Sequence, residues 1–78
     1  MKKLKLSEVN PGTTVKIKKI DGDIDLKKRL LEMGFTIGTN IHVIKKAPLK
    51  DPVEVEVRGY NISLRLKEAE NIEVEIIA

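Results

Sequence analysis

The sequence predicts a mainly β fold, a small barrel of short strands that is only partly closed. Apolar and polar residues alternate with a period of two in several short segments, which is typical of strands with one buried face. Glycine- and proline-containing turns separate these segments without an intervening linker. A chain of 78 residues is the size of one domain, so we expect a single domain over residues 1–78.

Five strands are expected from the alternation. They follow a short extended lead-in and a turn at residues 10–12. The expected strands are residues 13–20, residues 40–46, residues 53–58, a segment after Gly59-Tyr60 and residues 72–76. The first strand loses its alternation at Ile20, which indicates a bulge or the end of the strand.

The third and fourth strands are predicted to form a tight hairpin. We interpret Gly59-Tyr60 as the central residues of a type II′ turn, because glycine would occupy the first central position. This turn sets the register and pairs Val57 with Ile62, Val55 with Leu64 and Glu54 with Arg65. The apolar pairs would face the core, and the charged pair would lie on the outer face.

One helix is predicted between the first two strands, from about Ile24 to Met33. Asp23 or Asp25 is available as its N-cap, where a side-chain oxygen accepts a hydrogen bond from the first helical turn. Gly34 is suited to the left-handed conformation that ends many helices.

This predicted helix has two apolar lines. At about 100° per residue, Leu26, Leu30 and Met33 fall on one arc. Ile24 and Leu31 fall on a second arc, more than about 100° away. One line is expected to seal the open barrel, and the other either packs on the N-terminal segment or stays exposed as a docking strip.

The order of the elements favours an SH3-like barrel. The predicted fold has five strands, one α-helix after the first strand and a short helical turn at residues 67–70 before the last strand. An OB-fold also has five strands and is the alternative. Its helix usually lies between the third and fourth strands, which a two-residue turn joins here.

The composition excludes several classes of function. The net charge is +3, but the 15 basic residues are interleaved with 12 acidic ones, and Phe35 and Tyr60 are the only aromatic residues. Nucleic-acid binders usually segregate charge and stack bases on several aromatic side chains, so we expect no nucleic-acid partner. The lack of cysteine excludes disulfides and predicts a reducing compartment, the cytoplasm. No apolar run is long enough for membrane insertion.

No constellation of residues predicts catalysis. The one histidine, His42, is expected on the outer side of the second strand opposite Glu56. One histidine with one carboxylate offers fewer ligands than zinc or iron normally takes. Carboxylate pairs such as Asp21 and Asp23 lie among basic residues, without the burial typical of catalytic acids. We therefore expect no enzyme, no catalytic residue, no cofactor and no metal site.

Function is expected instead on the outer surface of the barrel. A small apolar strip rimmed by charge is typical of a modest protein interface. The predicted partner-binding residues are Ile24, Lys27, Lys28, Arg29, Leu31, Arg58 and Arg65. The alternative is a merely soluble helix with one extra leucine.

Three motifs together resemble a known family. They are RLLEMG at residues 29–34, APLKDP at residues 47–52 and RGYNISLRLKEA at residues 58–69. In this combination the sequence is similar, over nearly its whole length, to the FeoA family of small ferrous-iron-transport proteins. A related SH3-like domain forms the C-terminal part of iron- and manganese-dependent repressors of the diphtheria-toxin-repressor type.

The resemblance implies a cytoplasmic accessory protein of ferrous iron uptake. It would be a noncatalytic module that docks on the cytoplasmic G-protein domain of FeoB, a membrane GTPase transporter. Arg29, Arg58 or Arg65 would either offer an arginine to GTP hydrolysis or brace the barrel. The alternative is a metal-responsive regulatory domain that binds a transition metal ion or a peptide segment, as in the repressors. Weak self-association through exposed barrel edges also stays open.

Overall fold

The computed structural model describes residues 3–78, with the side chain of Lys50 excepted. Six strands and two helices follow one another in that part of the chain: β1 (Lys3–Lys5), β2 (Thr14–Ile20), α1 (Ile24–Glu32), β3 (Asn40–Lys46), β4 (Val53–Val57), β5 (Tyr60–Leu64), α2 (Leu66–Ala69) and β6 (Ile72–Ile76). Short 3₁₀ turns at Leu6–Glu8 and Pro48–Lys50 complete the described elements.

The strands form one antiparallel sheet in the order β1-β6-β2-β3-β4-β5, so that β1 and β5 are its two edges. The sheet curls into a barrel that is not closed, which confirms the predicted mainly β architecture. Among the described residues there are six strands instead of the expected five. The sixth is β1, a strand of three residues in the N-terminal lead-in that pairs with β6. Three residues are too few for an alternating pattern to predict a strand.

The core is aliphatic, with one aromatic residue. Its fully buried side chains come from every strand from β2 to β6, and the remaining members are contributed by the connections. From α1 and the residues that follow it, Leu30 and Phe35 enter the core, and neither has measurable solvent exposure. The helix therefore seals the open side of the barrel through the line that contains Leu30.

Both ends of α1 follow from local residues. The side chain of Asp23 accepts a hydrogen bond of 2.8 Å from the backbone N–H of Leu26, so Asp23 is the N-cap. The helix ends at Glu32, one residue before the predicted Met33, and Gly34 adopts a φ of +97°. The Phe35 N–H then donates to the Leu30 carbonyl at 2.9 Å, a Schellman closure that only a residue tolerant of positive φ allows.

The predicted register of the β4–β5 hairpin is wrong by two residues. Arg58 and Gly59 are the central turn residues, with φ values of +52° and +83°, which is the pattern of a type I′ turn. The observed pairs are Val57 with Tyr60, Val55 with Ile62 and Val53 with Leu64. A shift of two residues keeps every side chain on its face, so the apolar pattern alone does not distinguish the two registers.

The predicted ion pair between Glu54 and Arg65 is also wrong, for the same reason. In the observed register Ser63 lies opposite Glu54. Glu54 instead pairs with Lys45 of the neighbouring strand β3, at 3.9 Å. Arg65 lies 3.8 Å from Asp51.

A bulge interrupts β2 where its alternation fails. Ile17 lies opposite Val74 and Lys19 opposite Glu73, so Lys18 is an extra residue with no partner in β6. Strict alternation from Val15 and Ile17 would turn Lys19 toward the core. Because of the bulge, Lys18 and Lys19 are both exposed.

In α1, Leu30 is buried and its neighbour Leu31 is exposed, and substitutions at these two positions test this rotation of the helix about its axis. Leu30→Ala is expected to lower the free energy of unfolding by about 2–5 kcal/mol, because it leaves a cavity in the core. Leu31→Ala is expected to change it by less than about 0.5 kcal/mol, because that side chain is 54% exposed. Urea denaturation of the two variants measures the difference. Equal losses would contradict the orientation described above.

Candidate functional site

A groove of about 280 Å³ lies on the outside of the barrel, between α1, the end of β2 and the loop that follows the helix. Its lining residues are Lys18, Lys19, Ile20, Lys27, Leu31 and Ile37. Leu31 and Ile37 are 54% and 63% exposed, whereas Ile20 is partly buried against the core. The floor is therefore apolar and open to solvent, and the rim is basic.

The helix wall of the groove follows from the burial of Leu30. Leu31 is one residue further and is turned by about 100°, away from the core. Lys27 lies four residues before Leu31, on the same face of the helix. Ile24, which is 81% exposed, extends this face toward the start of the helix, and Lys28 lies beside it; neither lines the groove.

The opposite wall is held by backbone hydrogen bonds to β2. The Ile17 N–H donates to the Thr39 carbonyl at 3.0 Å, and the Gly38 N–H donates to the Ile17 carbonyl at 2.8 Å. The hydroxyl groups of Thr36 and Thr39 lie 2.6 Å apart and close the loop on itself. These contacts place Ile37, at the tip of the loop, beside the end of β2.

The basic rim results from the bulge in β2 together with α1. Lys18 and Lys19 project outward from the bulge, and Lys27 faces them from the helix. Lys19 makes an exposed contact of 3.6 Å with Asp21, a geometry that contributes little to stability. Within residues 3–78, neither Lys18 nor Lys27 makes an ion pair. The cationic groups of the rim are therefore available to an external anion.

Only two of the predicted partner-binding residues, Lys27 and Leu31, line this groove. Arg29 points away from it toward α2, where its guanidinium donates to the Glu68 carboxylate at 2.5 Å. The other oxygen of Glu68 accepts from the Arg65 N–H at 2.9 Å and caps α2. One carboxylate thus connects the two helices.

The two other predicted arginines lie at separate places. Arg58 is in the β4–β5 turn, and its side chain donates to the Thr36 hydroxyl at 3.3 Å. Arg65 lies near Asp51, whose carboxylate also accepts from the Leu66 N–H at 3.0 Å. The seven predicted residues therefore do not form one surface.

Sequence reasoning missed four groove residues: Lys18, Lys19, Ile20 and Ile37. The broken alternation before Ile20 was a signal for the bulge. Nothing in the local sequence indicates that Ile37 meets the end of β2, because that contact depends on hydrogen bonds between segments about twenty residues apart.

Leu49 is a further exposed apolar side chain that lies outside the groove. It is 94% exposed and has a φ of +67°, a left-handed conformation that is unfavourable for leucine. Its loop is closed by a hydrogen bond of 3.0 Å from the Ala47 N–H to the Pro52 carbonyl.

His42 occupies the predicted position. It lies opposite Glu56 on one side and opposite Thr14 on the other, and its Nδ1 is 3.0 Å from the Thr14 hydroxyl. Among residues 3–78, no group of three or more histidine, cysteine, aspartate or glutamate side chains is close enough to hold a metal ion. None of the helices in this range is long and apolar enough to cross a membrane.

An unclosed antiparallel barrel sealed by one helix, with its groove on the outer surface, defines a small SH3-like domain. FeoA of Stenotrophomonas maltophilia, described as an SH3 domain protein and solved in complex with zinc, has the same fold. The two proteins are 26% identical with a TM-score of 0.80, over 92% of this chain and 89% of that one. Residues 4–76 match the family model of the FeoA domain. The chain therefore belongs to the FeoA domain family.

Further relatives agree with this assignment. The FeoA-like protein from Clostridium acetobutylicum is 36% identical with a TM-score of 0.90, over all of this chain and 91% of that one. A fusion of Fe(2+) transport protein A with the transporter FeoB in Porphyromonas gingivalis is 44% identical over 96% of this chain, which spans only 9% of that protein. The predicted likeness to metal-dependent repressors is confirmed at the level of the fold. A manganese-dependent repressor has a TM-score of 0.88 at 16% identity, over 96% of this chain and 42% of that one.

Leu49→Gly is expected to raise the free energy of unfolding by roughly 0.5–1 kcal/mol. Relief of the left-handed conformation is worth about 1–2 kcal/mol, and the greater freedom of glycine in the unfolded chain offsets part of it. Leu49→Ala is the matched control, since it keeps a Cβ atom and removes only exposed surface. Thermal and urea denaturation compare the variants. Equal stability of the glycine and alanine variants would show that Leu49 is unstrained.

Proposed function

We propose that this protein is a cytoplasmic, noncatalytic accessory of ferrous iron uptake that docks on the G-protein domain of a FeoB-type transporter. The single observation that carries the proposal is the exposed apolar groove with its basic rim, on a domain whose relative is fused to FeoB. An exposed apolar patch rimmed by charge is typical of an interaction site.

The fused relative supports FeoB as the partner. In the Porphyromonas gingivalis protein, the similar domain and FeoB are parts of one chain. Fusion keeps two domains at an effective concentration of about millimolar, which favours even a weak contact between them. Where the two domains belong to separate chains, the contact would depend only on the affinity between their surfaces.

The α1 side of the barrel is the proposed contact surface. Leu31 supplies the apolar centre, and Ile24 continues it along the same helix face. Lys27 and Lys28 supply charge at the edge of the surface, where charge mainly sets the orientation and rate of association.

The arginines contribute less to this proposed role. Arg29, Arg58 and Arg65 each have a contact within the domain, with Glu68, Thr36 and Asp51 respectively. Arg29 would have to leave the largely buried Glu68 carboxylate before it entered a GTPase site, whereas Arg58 and Arg65 make only exposed contacts. We therefore propose that Arg29 above all braces the domain, and that docking at α1 is the means by which the protein acts.

Leu31→Glu is expected to weaken binding to the isolated FeoB G domain by about tenfold or more, because it places a charge at the apolar centre of the contact. Leu49→Glu is the matched control, an equally large change at an exposed leucine outside the groove, and is expected to bind as the parent protein does. Calorimetric titrations are made without nucleotide, with GDP and with a nonhydrolysable GTP analogue. An absence of binding in all three states would refute docking on this domain.

A metal-responsive regulatory domain is the second candidate, favoured by the zinc complex of the Stenotrophomonas maltophilia relative. In this chain His42 is the natural ligand to test, with Glu56 as its cross-strand neighbour. Two ligands are fewer than a transition metal usually takes from a protein.

Anaerobic calorimetry with Fe²⁺ or Mn²⁺ separates the two candidates. The docking proposal predicts no saturable one-to-one binding to the isolated protein. A stoichiometric heat that His42→Ala abolishes would favour the regulatory domain, whereas a heat that survives in the variant would point to adventitious binding at surface carboxylates.

A further inference from the structure

We propose that the groove between α1, the end of β2 and the loop of residues 36–39 receives an acidic peptide segment with at least two apolar side chains. This proposal rests on the proposed function, because it names the kind of partner segment that the docking surface binds. One apolar side chain would pack on Leu31 and another on Ile37, while carboxylates approach the rim lysines.

The size and shape of the groove favour side chains over a small-molecule ligand. Pockets for cofactors and drug-sized ligands usually have volumes of about 300–1,000 Å³ and enclose most of the ligand. At about 280 Å³, this groove lies near the lower limit of that range and is open to solvent, and its two most exposed apolar residues come from the helix and from the loop. Such a geometry fits the insertion of one or two anchoring side chains from a longer segment.

The charge around the groove favours an acidic segment. Three lysines, Lys18, Lys19 and Lys27, rim it from two different elements. The nearby carboxylates leave this charge largely uncompensated: Asp21 makes only an exposed contact of 3.6 Å with Lys19, and Glu73, opposite Lys19 in β6, lies 3.8 Å from Lys3. An incoming carboxylate would therefore meet cationic groups that few internal partners occupy.

The same charge disfavours a second copy of this chain. In a two-fold symmetric dimer, each patch faces its own copy. The rim would then bring lysines against lysines, and like charges at an interface are unfavourable. A nucleic acid is also anionic, but the groove has no aromatic side chain on which a base could stack: Phe35 is buried in the core and Tyr60 does not line the groove.

The test uses short overlapping peptides that cover the cytoplasmic part of a FeoB-type transporter, each with a fluorescent label. Fluorescence anisotropy measures their binding to the whole protein. Peptides with both acidic and apolar residues are expected to bind, and their affinity is expected to fall as salt is raised, because exposed charges are screened. Replacing the acidic residues of a binding peptide with their amides, or its apolar residues with serine, is expected to weaken binding by about tenfold.

Charge reversal on the protein provides the matched comparison. Lys27→Glu is expected to weaken peptide binding by about tenfold or more, whereas Lys67→Glu, an equal change in net charge on α2, is expected to have little effect. Both lysines are exposed, so both variants are expected to fold. A peptide in which lysines replace the acidic residues is expected to bind the Lys27→Glu variant better than the parent protein.

Several outcomes would overturn the proposal. Equal binding of the acidic and amide peptides, or equal losses in the Lys27→Glu and Lys67→Glu variants, would show that the rim has no specific role. Single-stranded DNA that binds as tightly as the peptides, with no effect of Leu31→Glu, would identify a general anion surface. If the G domain binds the parent and the Leu31→Glu variant equally and no peptide binds, the groove assignment fails while docking on the transporter stands.

Discussion

The surface of this domain depends on the insertion of one helical residue into the barrel. The sheet does not close, and Leu30 fills the open side beside Phe35, to which it is also joined by a backbone hydrogen bond of 2.9 Å. That insertion fixes the rotation of α1 about its axis. Successive residues of a helix are rotated by about 100° about its axis. With Leu30 in the core, Leu31 and Lys27 therefore lie on the outer side of the helix that borders the end of β2.

The second wall of the groove depends on the sheet and not on the helix. The N–H and the carbonyl of Ile17 each make a hydrogen bond to the loop that carries Ile37. One residue later in the same strand, the bulge begins that exposes Lys18. The loop and the strand end are thus both positioned by β2, whose Val15 and Ile17 are buried in the core. A surface assembled in this way is largely preformed, which lowers the entropy lost when a partner binds.

Patterns within short segments were sufficient to predict most of the fold. The strands from β2 to β6, the helix, its capping residues and the two apolar lines of α1 follow from periodicity and from local signals such as Asp23 and Gly34. The register of the β4–β5 hairpin did not follow, because Gly59 fits either central position of a two-residue turn. For the site, the helix wall was predicted and the strand wall was not. Ion pairs such as that of Arg29 with Glu68, 39 residues apart, likewise lie beyond local patterns.

The bulge in β2 separates the lysines of the basic rim from the core residues of the same strand. Val15, Ile17 and Ile20 would still alternate correctly in a strand that lacked Lys18, because the extra residue is what separates Ile17 and Ile20 by three positions. Deletion of Lys18 would therefore remove one positive charge from the groove and change the local backbone at Lys19, without changing any core residue. The positive charge of the groove and the packing of the barrel thus depend on different residues of the same strand.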